Sequence, residues 1–255
     1  MCSRTKNEKI LLGRWNKLDL DRVLAAAGGI EGTGRRIEVL SRQFLGVPYK
    51  ESTLIGTKHT PEMFFINLEA VDCFTYLDYV EAMRRSNSLA TFKETLKIVR
   101  YREGKVGYTS RNHFFTDWIE SNPFVRDVSA GVGREKTKTV HKKLNDRGDG
   151  RYLVSGILPV DRAISYVPGR AIDTNIIRRL RNGDYVGIYS RAKGLDVSHV
   201  GIVIKARGET FLRHASSSSL HRKVIEEDFL NYAARKPGIV VLRPDATARA
   251  RPLGR

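Results

Sequence analysis

From Asp184 onward the sequence consists of short apolar runs separated by tight-turn signals, and this pattern constrains the fold more than any other. Tyr185-Val186-Gly187-Ile188-Tyr189 reads as a strand opened by the turn Arg181-Asn182-Gly183-Asp184. Residues 199–205 read as a second strand and 210–215 as a third, joined by a turn at Arg207-Gly208, and residues 239–242 offer a fourth. Helical patterns come first and strands last. That order predicts an α+β fold with an antiparallel sheet, not a doubly wound parallel one.

Upstream, residues 10–27 carry Leu11, Leu12, Trp15, Leu18, Leu20, Val23 and Leu24 and end at Gly28-Gly29, which predicts a helical pair with a glycine stop. Ile37, Leu40 and Phe44 predict a helix over 35–45, ended by Gly46-Val47-Pro48-Tyr49 because the residue before proline is pushed out of helical geometry. Residues 50–61 read as loop, 63–68 as a short strand and 91–101 as a helix. In 108–119 aromatic and polar residues alternate, which suits either a pocket wall or, favoured by periodicity, a buried aromatic helix. The basic stretch 131–151 reads as a solvated loop or hairpin, and 155–168 as an apolar run interrupted by Pro159. The expected organisation is a flexible start at 1–9, one catalytic domain over 10–242 with N-terminal helices and middle insertions, and a flexible tail at 243–255.

The chain of 255 residues, 41% hydrophobic, is long enough for one large core. No run approaches the roughly 18 apolar residues needed to span a membrane. Its formal charge of +17 points to an anionic partner or surroundings such as nucleic acid, acidic lipid or acidic wall polymer. The basic residues are dispersed, so no dedicated nucleic-acid element is expected. With only Cys2 and Cys73, neither a disulfide framework nor a cysteine-rich zinc site is available. Cys2 reads either as a bland terminal residue or as a lipid-anchored cysteine left after a trimmed signal peptide.

Asp72 is a good N-cap, which makes Cys73 the first residue of a helix beside unpaired N–H groups. A helix start favours thiolate over thiol. A lone cysteine there is weak evidence of chemistry, and the strand pattern supplies the rest. If Arg207-Gly208 form a two-residue turn, His199 and His214 lie on one face as diagonal neighbours, whereas a three-residue loop would reverse this. His199 would then serve as the base for Cys73, His214 as the orienter of His199, and the Cys73 N–H as an oxyanion donor. Metal binding by the two histidines lacks a third close ligand, so neither a metal nor another cofactor is expected.

Asp72-Cys73, then His199-Val200-Gly201-Ile202, then His214-Ala215 resembles the NlpC-type papain-like cysteine peptidases of bacterial cell walls, in which Cys, His and a third polar residue follow in that order. Phe44-Leu45-Gly46-Val47-Pro48-Tyr49 is similar to the segment upstream of the nucleophile in that family, and Asn182-Gly183-Asp184 to the turn that opens its sheet. Residues 111–119, 163–168 and 194–201 resemble the N-acetylmuramoyl-L-alanine amidase-like branch. Phe74-Thr75 stands where the commoner pattern has Ser-Gly, which weakens transfer of the usual γ-D-glutamyl–diaminopimelate specificity.

The resemblance implies a papain-like fold with the nucleophile at a helix N-terminus packed on the antiparallel sheet. It implies a Cys73–His199–His214 triad that hydrolyses the N-acetylmuramoyl-L-alanine amide of peptidoglycan or muropeptides through a thioester. It implies an envelope or periplasmic location, given a trimmed signal peptide. Tyr49, His113 and Trp118 are the expected pocket wall, and Arg111 and Arg213 the expected clamps for stem-peptide carboxylates. Three alternatives stand beside this: a γ-D-glutamyl endopeptidase using the same triad, a lipid acyltransferase, and a non-catalytic basic binding protein.

Overall fold

A computed structural model of the chain describes residues 8–245, so Cys2 and residues 246–255 of the expected tail lie outside the described residues. The described chain opens with strand β1 (Glu8–Leu11), helices α1 (Lys17–Gly28) and α2 (Thr33–Arg42), strand β2 (Phe64–Asn67), and helices α3 (Cys73–Arg84) and α4 (Leu89–Arg100). A middle segment contributes α5 (Asp117–Ser121), β3 (Val125–Asp127), α6 (Ser129–Gly133), β4 (Lys138–Leu144) and β5 (Val160–Pro168). Then come α7 (Thr174–Arg179), β6 (Tyr185–Tyr189), β7 (Val197–Ala206), β8 (Glu209–Ala215), β9 (Val224–Asp228), α8 (Phe229–Ala233) and β10 (Gly238–Pro244).

Eight of these strands form one sheet in the order β4-β5-β10-β6-β7-β8-β9, with β3 also on β10. All its pairings are antiparallel. Side chains on a strand alternate between faces, and here both faces are covered. Val200, Ile202 and Ile204 pack with Tyr76, Leu77 and Val80 of α3 and with the other N-terminal helices. Ile188, Val203 and Leu212 pack with Val132 of α6, Ile176 of α7 and Phe229 of α8. The mixed helix and antiparallel-sheet architecture read from the sequence is therefore present.

Helix α3 is tied to the sheet by charge as well as by packing. Glu81 is fully buried and accepts from Arg84 Nε and Nη2, each at 2.6 Å, and from Tyr185 Oη on β6 at 2.7 Å. A buried carboxylate survives only when its oxygens are occupied like this.

Several local expectations need correction. Residues 10–27 are not a helical pair: Ile10 and Leu11 lie in β1, parallel to β2, and only α1 is helical. Gly13, at φ +62, turns the chain where a Cβ would lie 2.9 Å from the Leu68 carbonyl oxygen, and Asn16 then caps α1 by accepting the Asp19 N–H at 2.9 Å. The basic stretch 131–151 is half hairpin, because β4 pairs with β5 from Lys138↔Tyr166 to Leu144↔Val160. Pro159 sits just outside β5, where it removes no ladder hydrogen bond. The aromatic stretch 108–119 is no continuous helix, since only Asp117–Ser121 is α-helical. At the chain ends, Glu8 and Lys9 belong to β1, and Arg243 continues β10 with both of its Asp184 contacts at 2.7 Å.

Candidate active site

Asp72 starts α3 as expected, and it does so with a full capping box. Its Oδ1 accepts from Phe74 N at 3.0 Å and Thr75 N at 2.7 Å, while the Thr75 hydroxyl accepts from Asp72 N at 3.1 Å. Cys73 is thus the first helical residue and remains partly exposed. Its N–H has no acceptor among the described residues, as the first position of a helix dictates.

The expected thiolate is reversed in the free site. Burial pushes the Cys73 thiol up to about 12, and the adjacent Asp72 carboxylate pushes the same way. The N–H groups of Val200, Cys73 and Phe74 oppose the shift without overcoming it. The cap that creates the helix start therefore also places a negative charge beside the sulfur, and the proton stays on the thiol. Cys73 packs with the core cluster that includes Val200 of β7, the residue after His199.

The two histidines meet as the two-residue turn requires. Ala206 pairs with Glu209 and Ile202 with Arg213, and His199 Nε2 lies 2.7 Å from His214 Nδ1. Gly201 makes this approach available, because a Cβ there would lie 3.0 Å from His214 Cβ and 2.7 Å from Leu212 Cδ1. A third group, missed in the sequence, completes the chain: Glu227 Oε2 on β9 is 2.7 Å from His214 Nε2. Its only signal was position, in a strand that the apolar pattern did not mark.

Glu227 fixes the tautomers. A carboxylate can only accept, so His214 donates from Nε2 and its Nδ1 must accept. His199 then donates from Nε2, which leaves the lone pair on its Nδ1. That nitrogen is the one free to take a proton.

Burial holds both imidazoles neutral, with His199 pushed down to about 3 and His214 to about 4, and the nearby Lys236 ammonium adds to both shifts. The unfolded chain binds protons on these residues from about pH 6.5, whereas the folded chain resists. Stability is therefore whole above about pH 6.5 and falls as pH drops toward the folded values. We expect a loss of about 2 kcal/mol between pH 6.5 and 5, discounted for the partial exposure of His199. Urea unfolding at the two pH values measures it, and the loss should shrink in His214→Phe. An unfolding midpoint equally pH-dependent in both proteins would contradict the assignment.

A cavity of about 570 Å³ opens beside the pair, lined among others by His199, His214, Ser216, Glu227, Tyr232 and Lys236. The Tyr232 ring lies 5.3 Å from His214. Burial pushes the Tyr232 phenol up, and the Tyr49 phenol up to about 12. Tyr49 is bridged to Val71, two residues before Cys73, and the Arg222 guanidinium lies 4.9 Å over its ring.

The other expected pocket residues are placed elsewhere. Trp118 is fully buried in the core against Phe74, Phe115 and Tyr185 and is not a wall of the cavity. Arg213 is not a clamp, because alternation on β8 turns it to the face opposite His214. There it meets Glu226 at 2.9 Å and the Glu38 carbonyl at 2.7 Å. Arg111 is occupied by Glu62 at 2.9 Å, and His113 by the Tyr108 carbonyl at 2.7 Å. Among the described residues, no three His, Cys, Asp or Glu side chains are grouped to hold a metal ion.

Fold and site together define an α+β protein with a thiol at the start of a helix that packs on the sheet carrying a carboxylate-anchored pair of imidazoles. The family model for N-acetylmuramoyl-L-alanine amidase-like proteins matches residues 39–239. The chain belongs to that family. Among solved structures it is similar to an N-acetylmuramoyl-L-alanine amidase from Bacteroides uniformis ATCC 8492, with 27% identity and a TM-score of 0.70 over 84% of this chain and 99% of the other. It shares its fold with a Legionella pneumophila protein, with 20% identity and a TM-score of 0.75 over 89% of this chain and 94% of that one. Comparison with curated proteins gives no match.

Proposed function

We propose that the protein is a cysteine amidohydrolase that cleaves the N-acetylmuramoyl-L-alanine amide of peptidoglycan or its muropeptides. The observation that carries this reading is the hydrogen-bonded run His199–His214–Glu227, each link 2.7 Å, on the strands against which the Cys73 helix packs. Family membership and the likeness to the Bacteroides uniformis amidase support the choice of bond.

In this mechanism His199 Nδ1 takes the thiol proton as the sulfur attacks the lactyl carbonyl. The oxyanion of the tetrahedral intermediate accepts from the Cys73 N–H. Collapse breaks the C–N bond, and the imidazolium returns its proton to the departing L-alanine amine. The muramoyl thioester is then hydrolysed by a water that His199 deprotonates, and the thiol leaves as it regains its proton. Because both resting partners are neutral, the ion pair forms only in transit, and a substrate that excludes water from the cleft strengthens it. The NlpC-type papain-like placement accords with this order of groups, and the substrate places the enzyme's work in the bacterial envelope. Among the described residues no helix is long and apolar enough to cross a membrane.

Mass spectrometry of purified disaccharide-peptides after incubation tests the bond. The expected products are a stem peptide with a free L-alanine amine and a disaccharide with a free lactyl carboxylate. A cut within the stem would overturn the amidase assignment in favour of an endopeptidase.

Glu227 acts through His214 and is a positioning residue. Glu227→Ala is expected to lower kcat by about 10- to 100-fold, the usual scale for losing a group that orients a ligand or base. Glu227→Gln keeps an acceptor and should recover most of that loss. Steady-state kinetics of both variants check it, and equal activities in wild type and Glu227→Ala would remove Glu227 from the mechanism.

A further inference from the structure

Six arginines and no lysine line a cavity of about 650 Å³ formed by β3, α6, α7 and the end of β10: Arg126, Arg134, Arg178, Arg179, Arg181 and Arg243. Asp127 is the only acid in its wall, and its Oδ1 already accepts the Ser129 N–H at 2.7 Å. Arg243 is neutralised by Asp184 at 2.7 Å, and Arg179 donates to the Val132 carbonyl at 3.0 Å. The side chains of Arg126, Arg134, Arg178 and Arg181 have neither an ion pair nor a hydrogen bond among the described residues. Arg134 holds φ +50, a left-handed conformation that costs energy in a residue other than glycine. Arg126, Arg181 and Arg243, together with Asp184 and Asp245, also line an adjoining cavity of about 300 Å³, which extends the groove past Asn182.

Asp127 and Asp184 offset part of this charge, and the exposed guanidinium groups of Arg126, Arg134, Arg178 and Arg181 remain gathered round one hollow without a protein partner. An anion would offset the rest. Guanidinium forks converging from several elements suit a compact tetrahedral oxyanion, which offers acceptors in every direction, better than a planar carboxylate. We propose that this groove binds a multiply charged phosphate group of the diphosphate class. It is separate from the histidine cleft. Gly183 N and Asp184 O bond Val203 at 2.8 Å each, so the groove adjoins β7 four residues from His199, roughly 13 Å along the strand. The two cavities share no residue.

Calorimetric titration of inorganic diphosphate into the full chain bearing Cys73→Ala tests the site without dependence on hydrolysis. Saturable binding is expected, weakened at least tenfold in Arg178→Gln/Arg181→Gln. It should stay within twofold in the exposed control pair Arg22→Gln/Arg170→Gln, and citrate should compete at least tenfold less well than diphosphate. Sedimentation with phosphatidylcholine vesicles carrying a polyprenyl diphosphate lipid, against phosphatidylcholine alone, separates the sources. Diphosphate binding together with vesicle retention, both lost in the Arg178/Arg181 variant, assigns a lipid headgroup, and diphosphate binding alone assigns a soluble phosphate. Absence of saturable diphosphate binding, equal weakening in the control pair, or citrate competing as well as diphosphate would overturn the proposal.

Discussion

Cys73→Ala is expected to abolish amide hydrolysis, lowering kcat/KM by on the order of 10⁴-fold or more, the scale seen when a covalent nucleophile is removed. The side chain is small and partly exposed, and the cap is built by Asp72 and Thr75, so α3 should form unchanged. Circular dichroism and the unfolding midpoint should match wild type while muropeptide turnover disappears. Cys73→Ser should not recover it, because a hydroxyl with Asp72 beside it is harder still to deprotonate than a thiol pushed up to about 12. A Cys73→Ala protein that keeps even a tenth of wild-type turnover would rule out the thiol mechanism.

Glu81→Ala should have the largest effect on stability, about 3–5 kcal/mol, the cost of breaking a buried ion pair from one side. The truncation leaves the Arg84 guanidinium, 4% exposed, without its carboxylate, and leaves Tyr185 Oη without its acceptor. Glu81 lies two turns along α3 from Cys73, so loosening it also loosens the helix that carries the proposed nucleophile. Urea unfolding should show the loss, with kcat falling in the fraction that stays folded. Loss of less than about 1 kcal/mol would mean that packing of Tyr76, Leu77 and Val80 alone holds the helix.

The site was legible where chemistry and local geometry coincide. Asp72 before an apolar run marks a helix start, and a two-residue turn at Arg207-Gly208 fixes which faces His199 and His214 share. Both signals are short-range, and both led to observed geometry. Legibility failed where partners are distant in sequence. Arg213 and Arg111 looked available because their neighbours are polar or catalytic, but Glu226 and Glu62 occupy them. Trp118 is expected in the wall from the resemblance of 111–119 to the amidase-like branch, yet its ring closes the core over Phe74. Glu227 could not be seen at all, since β9 carries too few apolar residues to announce a strand and its register depends on β8.

The fold followed the same division. The hairpins of β6 to β8 were legible from their turns, whereas β1, β3 and β4 become strands only because a partner edge is present. The thiol's charge state was also out of reach. A helix start lowers a cysteine pKa in isolation, but here burial and the capping Asp72 prevail. In the proposed mechanism His199 therefore takes the proton during attack instead of storing an ion pair.

The most direct test of the account is the mass of the covalent intermediate trapped on Cys73 by rapid acid quench during turnover of a disaccharide-peptide. The account predicts an adduct equal to the disaccharide acyl group, mapped to the peptide containing Cys73, with the stem peptide already released. An adduct carrying stem-peptide residues, or no adduct while product still forms, would contradict it.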